Sequence, residues 1–121
     1  MKQPATSITP GVKKSTMTGD LLLVRLAALA SPHRLRILAT LVAGGRQYVS
    51  QLARDVGMSR PLLHLHLQKL EEAGLVTSKL EVSDDGKALN FFEATEFQID
   101  LTPASITKAV KSLSANTFKG D

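Results

Sequence analysis

A mainly α-helical fold with a small β-hairpin, in the order α-α-α-α-β-β-α, is what this sequence predicts, and three observations carry it. Aromatic residues make up 4% of the chain and Trp is absent, while hydrophobic residues reach 43%. The core must then be built from Leu, Val, Ile and Ala, which suits helices more than a sandwich. Apolar residues recur at helical spacing, most clearly at Leu63, Leu67 and Leu70. After Gly74 the pattern changes to two extended runs around a polar turn. At 121 residues, the chain is long enough for one domain with its own core and too short for two ordinary ones.

Residues 1–19 are rich in Ser, Thr, Pro, Gly and Lys without an apolar period, so they read as a flexible basic N-terminal arm. A first helix starts after the capping candidates Thr18 to Asp20 and runs through Leu21 to Ala30. It is apolar on nearly every side, so the faces left over in so small a domain point to a partner subunit. Ser31-Pro32 reads as an N-cap followed by proline at the first helical position, opening a second helix that ends at Gly44-Gly45. A short helix from Val49 to Val56 buries Leu52, Ala53 and Val56 and is stopped by Gly57.

At most four residues separate that helix from the next, in which Ser59 is the cap and Pro61 is tolerated in the first turn. Its far end is Gly74. The run from Leu75 to Val82, the turn from Ser83 to Lys87 and a second run through Phe91, Phe92, Phe97, Ile99 and Leu101 predict the hairpin. Thr102-Pro103 repeats the cap-plus-proline signal and opens a last helix with an apolar stripe of Ile106, Ala109, Val110 and Leu113. The expected domain spans residues 20–114, and residues 115–121 read as a frayed tail.

Several function classes drop out on composition. With no cysteine, neither a disulfide framework nor a thiolate metal site can form. Lys13 and Lys14 ahead of Leu21 to Ala30, with Ala28-Leu29-Ala30 behind, resemble a secretory leader, but Asp20 and Arg25 interrupt the apolar run. No stretch approaches the roughly 18 apolar residues that span a bilayer. The reading is cytoplasmic, with no membrane partner. There is no glycine-rich phosphate loop and no Ser, His and acid set at interpretable spacing, so no enzyme is expected.

The net charge is +4, but its placement says more than its sum. Residues 1–45 hold six basic and one acidic residue, 46–87 six and six, and 88–121 three and four. Charge alone does not single out the middle of the chain. The element order does: a short helix braced against a longer one, followed by a hairpin, is suited to hold the longer helix in a DNA major groove about 12 Å wide. This arrangement is a winged helix-turn-helix.

Four segments sharpen that reading. They are Ser31-Pro32-His33-Arg34-Leu35-Arg36-Ile37-Leu38, Val49-Ser50-Gln51-Leu52-Ala53, Met58-Ser59-Arg60-Pro61, and the block from His66 to Val76. Over roughly residues 20–113 the chain resembles the ArsR family of winged-helix regulators. The resemblance implies a homodimer joined by the first and last helices, with Leu22, Leu26, Leu29, Ile106, Val110 and Leu113 at the interface. It also implies a recognition helix from Ser59 to Glu72 and a regulator, expected to be a repressor, that binds an inverted-repeat operator.

Helical geometry agrees with that assignment: with Leu63, Leu67 and Leu70 inward, Arg60, Pro61, His64, Leu65, Gln68 and Glu72 face outward. Arg60 suits a guanine or a phosphate, and His64 and Gln68 suit base edges. Lys69, Lys79 and Lys87 suit phosphates, and Ser59 combines capping with a phosphate contact. Leu65 stands where relatives often present a polar or basic residue, and Leu62 flanks the same face. Both suit thymine methyls, or packing on the wing or a neighbouring helix. Asp84 and Asp85 at the wing tip repel phosphate and leave Lys87 as the attractive group there.

Metal sensing has no ligand set. Relatives that sense metals use paired cysteines, or Asp, His and Glu on the last helix, whereas residues 102–121 contain no His and only Asp121 as an acid. His64 and His66 lie some 200° apart on a helix and cannot share one ion, and His66 reads as a packing residue. No cofactor and no metal are expected, and whether a small-molecule effector binds is left open by the residues. The competing reading is a winged-helix protein–protein interaction module, with Leu62 and Leu65 as a contact patch.

Overall fold

The computed structural model describes residues 17–114. Except for residues 17–19, the expected arm over 1–19 lies outside the described residues, as does the expected tail over 115–121. The elements are α1 (Gly19–Leu29), α2 (Pro32–Gly44), β1 (Gln47–Tyr48), α3 (Val49–Val56), α4 (Arg60–Glu72), β2 (Val76–Val82), β3 (Ala88–Ala94) and α5 (Pro103–Val110). The mainly α class with a β-hairpin holds. The described residues divide into two compact units, one of residues 24–96 and one of residues 17–23 with 97–114.

Local capping chemistry fixes where the helices begin. The Ser31 hydroxyl accepts from the Arg34 amide and the Ser59 hydroxyl from the Leu62 amide, each at 3.3 Å, ahead of Pro32 and Pro61. Thr102 and Ser105 form a reciprocal capping box at the start of α5. Each device satisfies amides that have no carbonyl partner inside the helix and contributes about 1 kcal/mol. The turn between α3 and α4 depends on Gly57, whose φ of 69° lies in the left-handed region and whose amide donates to Ala53 O.

In the unit of residues 24–96, the core is aliphatic. Ile37 and Leu41 of α2, Leu52 of α3, Leu63, Leu67 and Leu70 of α4, and Leu75, Val76 and Phe92 are all buried. Burying one such side chain is worth about 1.5–3 kcal/mol, so α4 is held by its back.

The sheet differs from the expected two-stranded hairpin. It has three antiparallel strands in the order β1-β3-β2, with Gln47 opposite Phe92 and Tyr48 opposite Phe91. A two-residue strand is too short to leave a periodic signature, and it is anchored from elsewhere: Gln47 is buried, and its Nε2 donates to Asp55 Oδ2 of α3 at 2.6 Å. The second extended run also stops earlier than the sequence implies. β3 ends at Ala94, and Phe97, Ile99 and Leu101 lie in irregular chain. Phe97 and Ile99 are half-buried and alternate with exposed Gln98 and Asp100, so the period-two pattern there reports burial without a strand partner.

In the unit of residues 17–23 and 97–114, α5 meets the start of α1 at Gly19. The Gly19 amide donates to Ser112 Oγ at 2.8 Å, and the Ser114 amide donates to Asp20 Oδ1 at 3.0 Å. A β-carbon at position 19 would stand 2.3 Å from Ala109 O and 2.7 Å from Leu113 Cδ2. Because the nearer obstacle is backbone, Gly19→Ala is expected to push α5 off its seat and cost about 1–3 kcal/mol. Urea unfolding of the variant measures it; an unchanged midpoint would contradict this packing.

Candidate nucleic-acid interface

The residues at the front of α4 follow from the burial of its back. With Leu63, Leu67 and Leu70 at 0–1% exposure, the 100° step per residue turns Arg60, Pro61, His64, Leu65, Gln68, Lys69 and Glu72 to solvent, and all are exposed. Leu65 is 61% exposed and Leu62 41%, so within this chain Leu65 does not pack under the wing. Part of the face is engaged with itself: Gln68 Nε2 donates to Glu72 Oε2 at 3.3 Å. Arg60 has no ion-pair partner among the described residues.

At the turn that precedes α4, an open cleft of about 580 Å³ is lined by Ser50, Arg54, Gly57, Met58, Ser59 and Arg60. The cleft thus combines two guanidinium groups, two hydroxyls and the N-terminus of α4. Positive charge beside helix amides is the chemistry that binds a phosphate diester.

The wing distributes the other expected cations unevenly. Ser78 Oγ of β2 donates to Glu71 Oε2 of α4 at 2.8 Å, so the face of β2 that carries Ser78 is the one turned to α4. Lys79 follows Ser78 and points to the opposite face, where it lines a small cleft with Arg46, Thr77, Phe91 and Glu93. There Arg46 pairs with Glu81 at 2.6 Å and lies 4.3 Å from the centre of the Phe91 ring. The Arg46 hydrogen bond holds the Glu81 carboxyl below its ordinary pKa. Lys79 is therefore separated from the front of α4, whereas Lys69 is on α4 itself.

Lys87 stands at the wing tip, exposed. The tip is tied by its own residues: the Asp85 carboxylate accepts from the Ser83 hydroxyl and from the Lys87 amide. These bonds, the Ser83 hydroxyl first, hold Asp85 below the ordinary carboxylate range, so the tip keeps its negative charge beside Lys87. On the faces expected to meet a partner subunit, Leu22 is buried in its own chain at 9% and offers little surface. Leu26, Leu29 and Leu113 are half-buried, and Ile106 and Val110 are exposed at 46% and 54%.

Comparison with known proteins places this geometry. The helix-turn-helix domain family matches residues 29–79. An uncharacterized HTH-type transcriptional regulator of Methanocaldococcus jannaschii is 36% identical over 81 residues, 67% of this chain and 83% of that protein. The chain belongs to the ArsR-like winged helix-turn-helix transcriptional regulators. The solution structure of a homodimeric winged helix-turn-helix DNA-binding domain from Mycobacterium bovis, a possible ArsR-family regulator, superposes with a TM-score of 0.55 at 29% identity. That likeness covers 62% of this chain and 64% of the other. NolR from Sinorhizobium fredii gives 0.54 at 26% identity, over 73% and 76%.

As an ArsR-like regulator the chain has a helix-turn-helix DNA-binding fold, and its relatives are regulators of transcription. Sequence reasoning missed two features of it. Ser50 and Arg54 were not singled out, although their spacing from Ser59 across a glycine turn is a readable signal. Leu23 and Val24, at 42% and 45% exposure, are the apolar residues α1 presents to solvent. His66, expected from the sequence to be a packing residue, is half-buried against Arg34 and His33. Among the described residues no three His, Asp or Glu side chains converge as metal ligands do, and no helix is long and apolar enough to cross a membrane.

Proposed function

We propose that this ArsR-like regulator acts in the cytoplasm as a homodimeric repressor, placing α4 of each protomer in successive major grooves of an inverted-repeat operator. The observation that carries the reading is the two-sided character of α4, with a leucine back at 0–1% exposure and a front from Arg60 to Glu72 open to solvent. Half-sites about 34–36 Å apart match two such helices related by a two-fold axis. Residues 20–114 are the domain that does this.

In this reading Arg60 and His64 read base edges, with Gln68 once its bond to Glu72 opens, and Pro61 and Leu65 lie against thymine methyls. Ser59, Arg54, Lys69 and Lys87 hold phosphate, and Lys79 reaches only a phosphate beyond the far face of the wing. Repression follows from occupancy, since a bound dimer covers its site against the transcription machinery. An effector, if the cell uses one, acts on this equilibrium.

Titration of duplex DNA across salt concentrations tests the reading. Arg54, Lys69 and Lys87 from two protomers neutralise about six phosphates, so the log–log slope of affinity against salt is expected near −5. A flat, weak response would favour the protein-binding reading of the fold. Selection from a random duplex pool is expected to return an inverted repeat.

Dimerisation through α1 and α5 carries its own prediction. Val110 is 54% exposed, so Val110→Asp leaves the fold intact and places charge in the interface. Size-exclusion chromatography is expected to give a monomer, with operator affinity down about 100-fold because the second half-site no longer adds avidity. A persistent dimer would move the interface elsewhere.

A further inference from the structure

Three basic side chains gather where α1, α2 and α4 come together. His66, on the inner flank of α4, is half-buried. Its Nδ1 accepts from Arg34 Nε at 3.2 Å, and its ring lies 5.5 Å from that of His33, both residues of α2. Arg34 has a second engagement: its terminal nitrogen Nη1 donates to Ala27 O and Ala28 O at 3.3 and 3.2 Å, carbonyls of the last turn of α1. One guanidinium thus joins the end of α1 to the middle of α4, Arg34 and His66 being 32 residues apart in sequence.

The chemistry of this junction is asymmetric in protons. Arg34 is always charged and has no acceptor, so the bond requires an unprotonated Nδ1 on His66, which puts the proton of the neutral ring on Nε2. A protonated imidazole donates from both nitrogens. It would turn an N–H toward the N–H of Arg34 and set a second positive charge against it. We propose that the His33–Arg34–His66 cluster is a proton-operated latch: neutral His66 ties the recognition helix through Arg34 to the end of α1, and protonated His66 releases it.

The surroundings favour the latched form at neutral pH. Burial lowers the pKa of His66 most, followed by the charge of Arg34 and then His33, and no acid is among the groups that act on it. Lys69, one turn along α4, is also basic, and α1 contributes carbonyl groups at this point. The sign of the linkage follows. With its pKa lowered in the folded chain, His66 in the unfolded chain takes a proton first, so stability falls as pH drops from about 6.5 toward the folded value. Above about pH 6.5 the contribution of the latch is fully present.

The consequence for DNA rests on the proposed function. A recognition helix that has lost this tie and keeps the bond from Arg25 Nε of α1 to Ala73 O at its C-terminus is less well held in its middle, so operator affinity falls on acidification. His64, on the exposed front of α4, works in the opposite sense, because a proton there adds attraction to DNA. His66→Gln separates the two, since the Gln oxygen accepts from Arg34 at every pH.

NMR titration of the full chain between about pH 7.5 and 5.5 tests the latch. The backbone amides of Leu29, Ala30 and Arg34 are expected to shift with the midpoint of the His66 ring, below the ordinary histidine value, and to lose this step in His66→Gln. His33→Gln, which removes the ring whose charge interaction lowers His66, is expected to raise the His66 midpoint. Amides at the end of α1 that do not follow His66, or a midpoint unmoved by His33→Gln, would overturn the latch. Over the same range, operator affinity of the unmodified chain is expected to fall relative to that of His66→Gln, in step with the titration of the His66 ring. A constant ratio would overturn its regulatory role. If neither protein binds any sequence selectively at about pH 7.5, the proposed function fails instead, and the amide titration still decides the latch.

Discussion

Leu63→Ala is expected to remove about 2–5 kcal/mol of unfolding free energy, the range for truncating a buried leucine whose cavity collapses only in part. Leu63 is fully buried, on the side of α4 that faces the core with Leu67 and Leu70. In a domain of this size each kcal/mol shifts the melting temperature by about 4–8 °C, so thermal or urea unfolding reads the effect directly. The contrast is Leu65→Ala, two positions along the same helix and 61% exposed, which should move stability by no more than about 0.5 kcal/mol. Equal losses at the two positions would mean that α4 has no distinct back and front.

Arg60→Ala is expected to do the reverse, weakening operator binding about 10- to 100-fold while leaving the melting temperature nearly where it was. Arg60 follows the N-cap Ser59, is exposed, and lines the cleft with Arg54. Loss of a base-edge contact costs about 1–3 kcal/mol and relaxes preference at one base pair, whereas loss of a phosphate contact weakens all sequences alike and reduces the salt slope by about one. Measured against a panel of single-base operator variants, the two outcomes separate. Arg60→Lys sharpens the distinction, because it keeps the charge but not the planar fork that pairs with guanine. Undiminished affinity in Arg60→Ala would remove this end of α4 from the reading surface.

Much of the fold was legible because its signals are local. Ser31, Ser59 and Thr102 announce their helices through hydroxyls that reach amides three residues on, and the prolines beside them narrow the start further. The spacing of Leu63, Leu67 and Leu70 likewise separates the back of α4 from its front within a single window. The extended run after Phe92 misled for a physical reason: the half-buried Phe97 and Ile99 alternate as a strand does, yet among the described residues no strand pairs with them. β1 escaped notice because it is held by Gln47 reaching Asp55 and by pairing to Phe91 and Phe92, partners that no short window contains.

The candidate site divides along the same line. From residue order alone came the helix pair, the helix proposed to read DNA, the outward set from Arg60 to Glu72 and the family, since each depends on spacing within one element or on contiguous motifs. Tertiary structure alone decided that Arg54 and Ser50 share a cleft with Arg60, that Lys79 points away from α4, that Leu22 turns inward while Leu23 and Val24 turn out, and that Arg34 links His66 to α1. Those facts depend on how elements distant in sequence are rotated and docked. That rotation is set by the summed burial of many side chains, and no single stretch of residues encodes it.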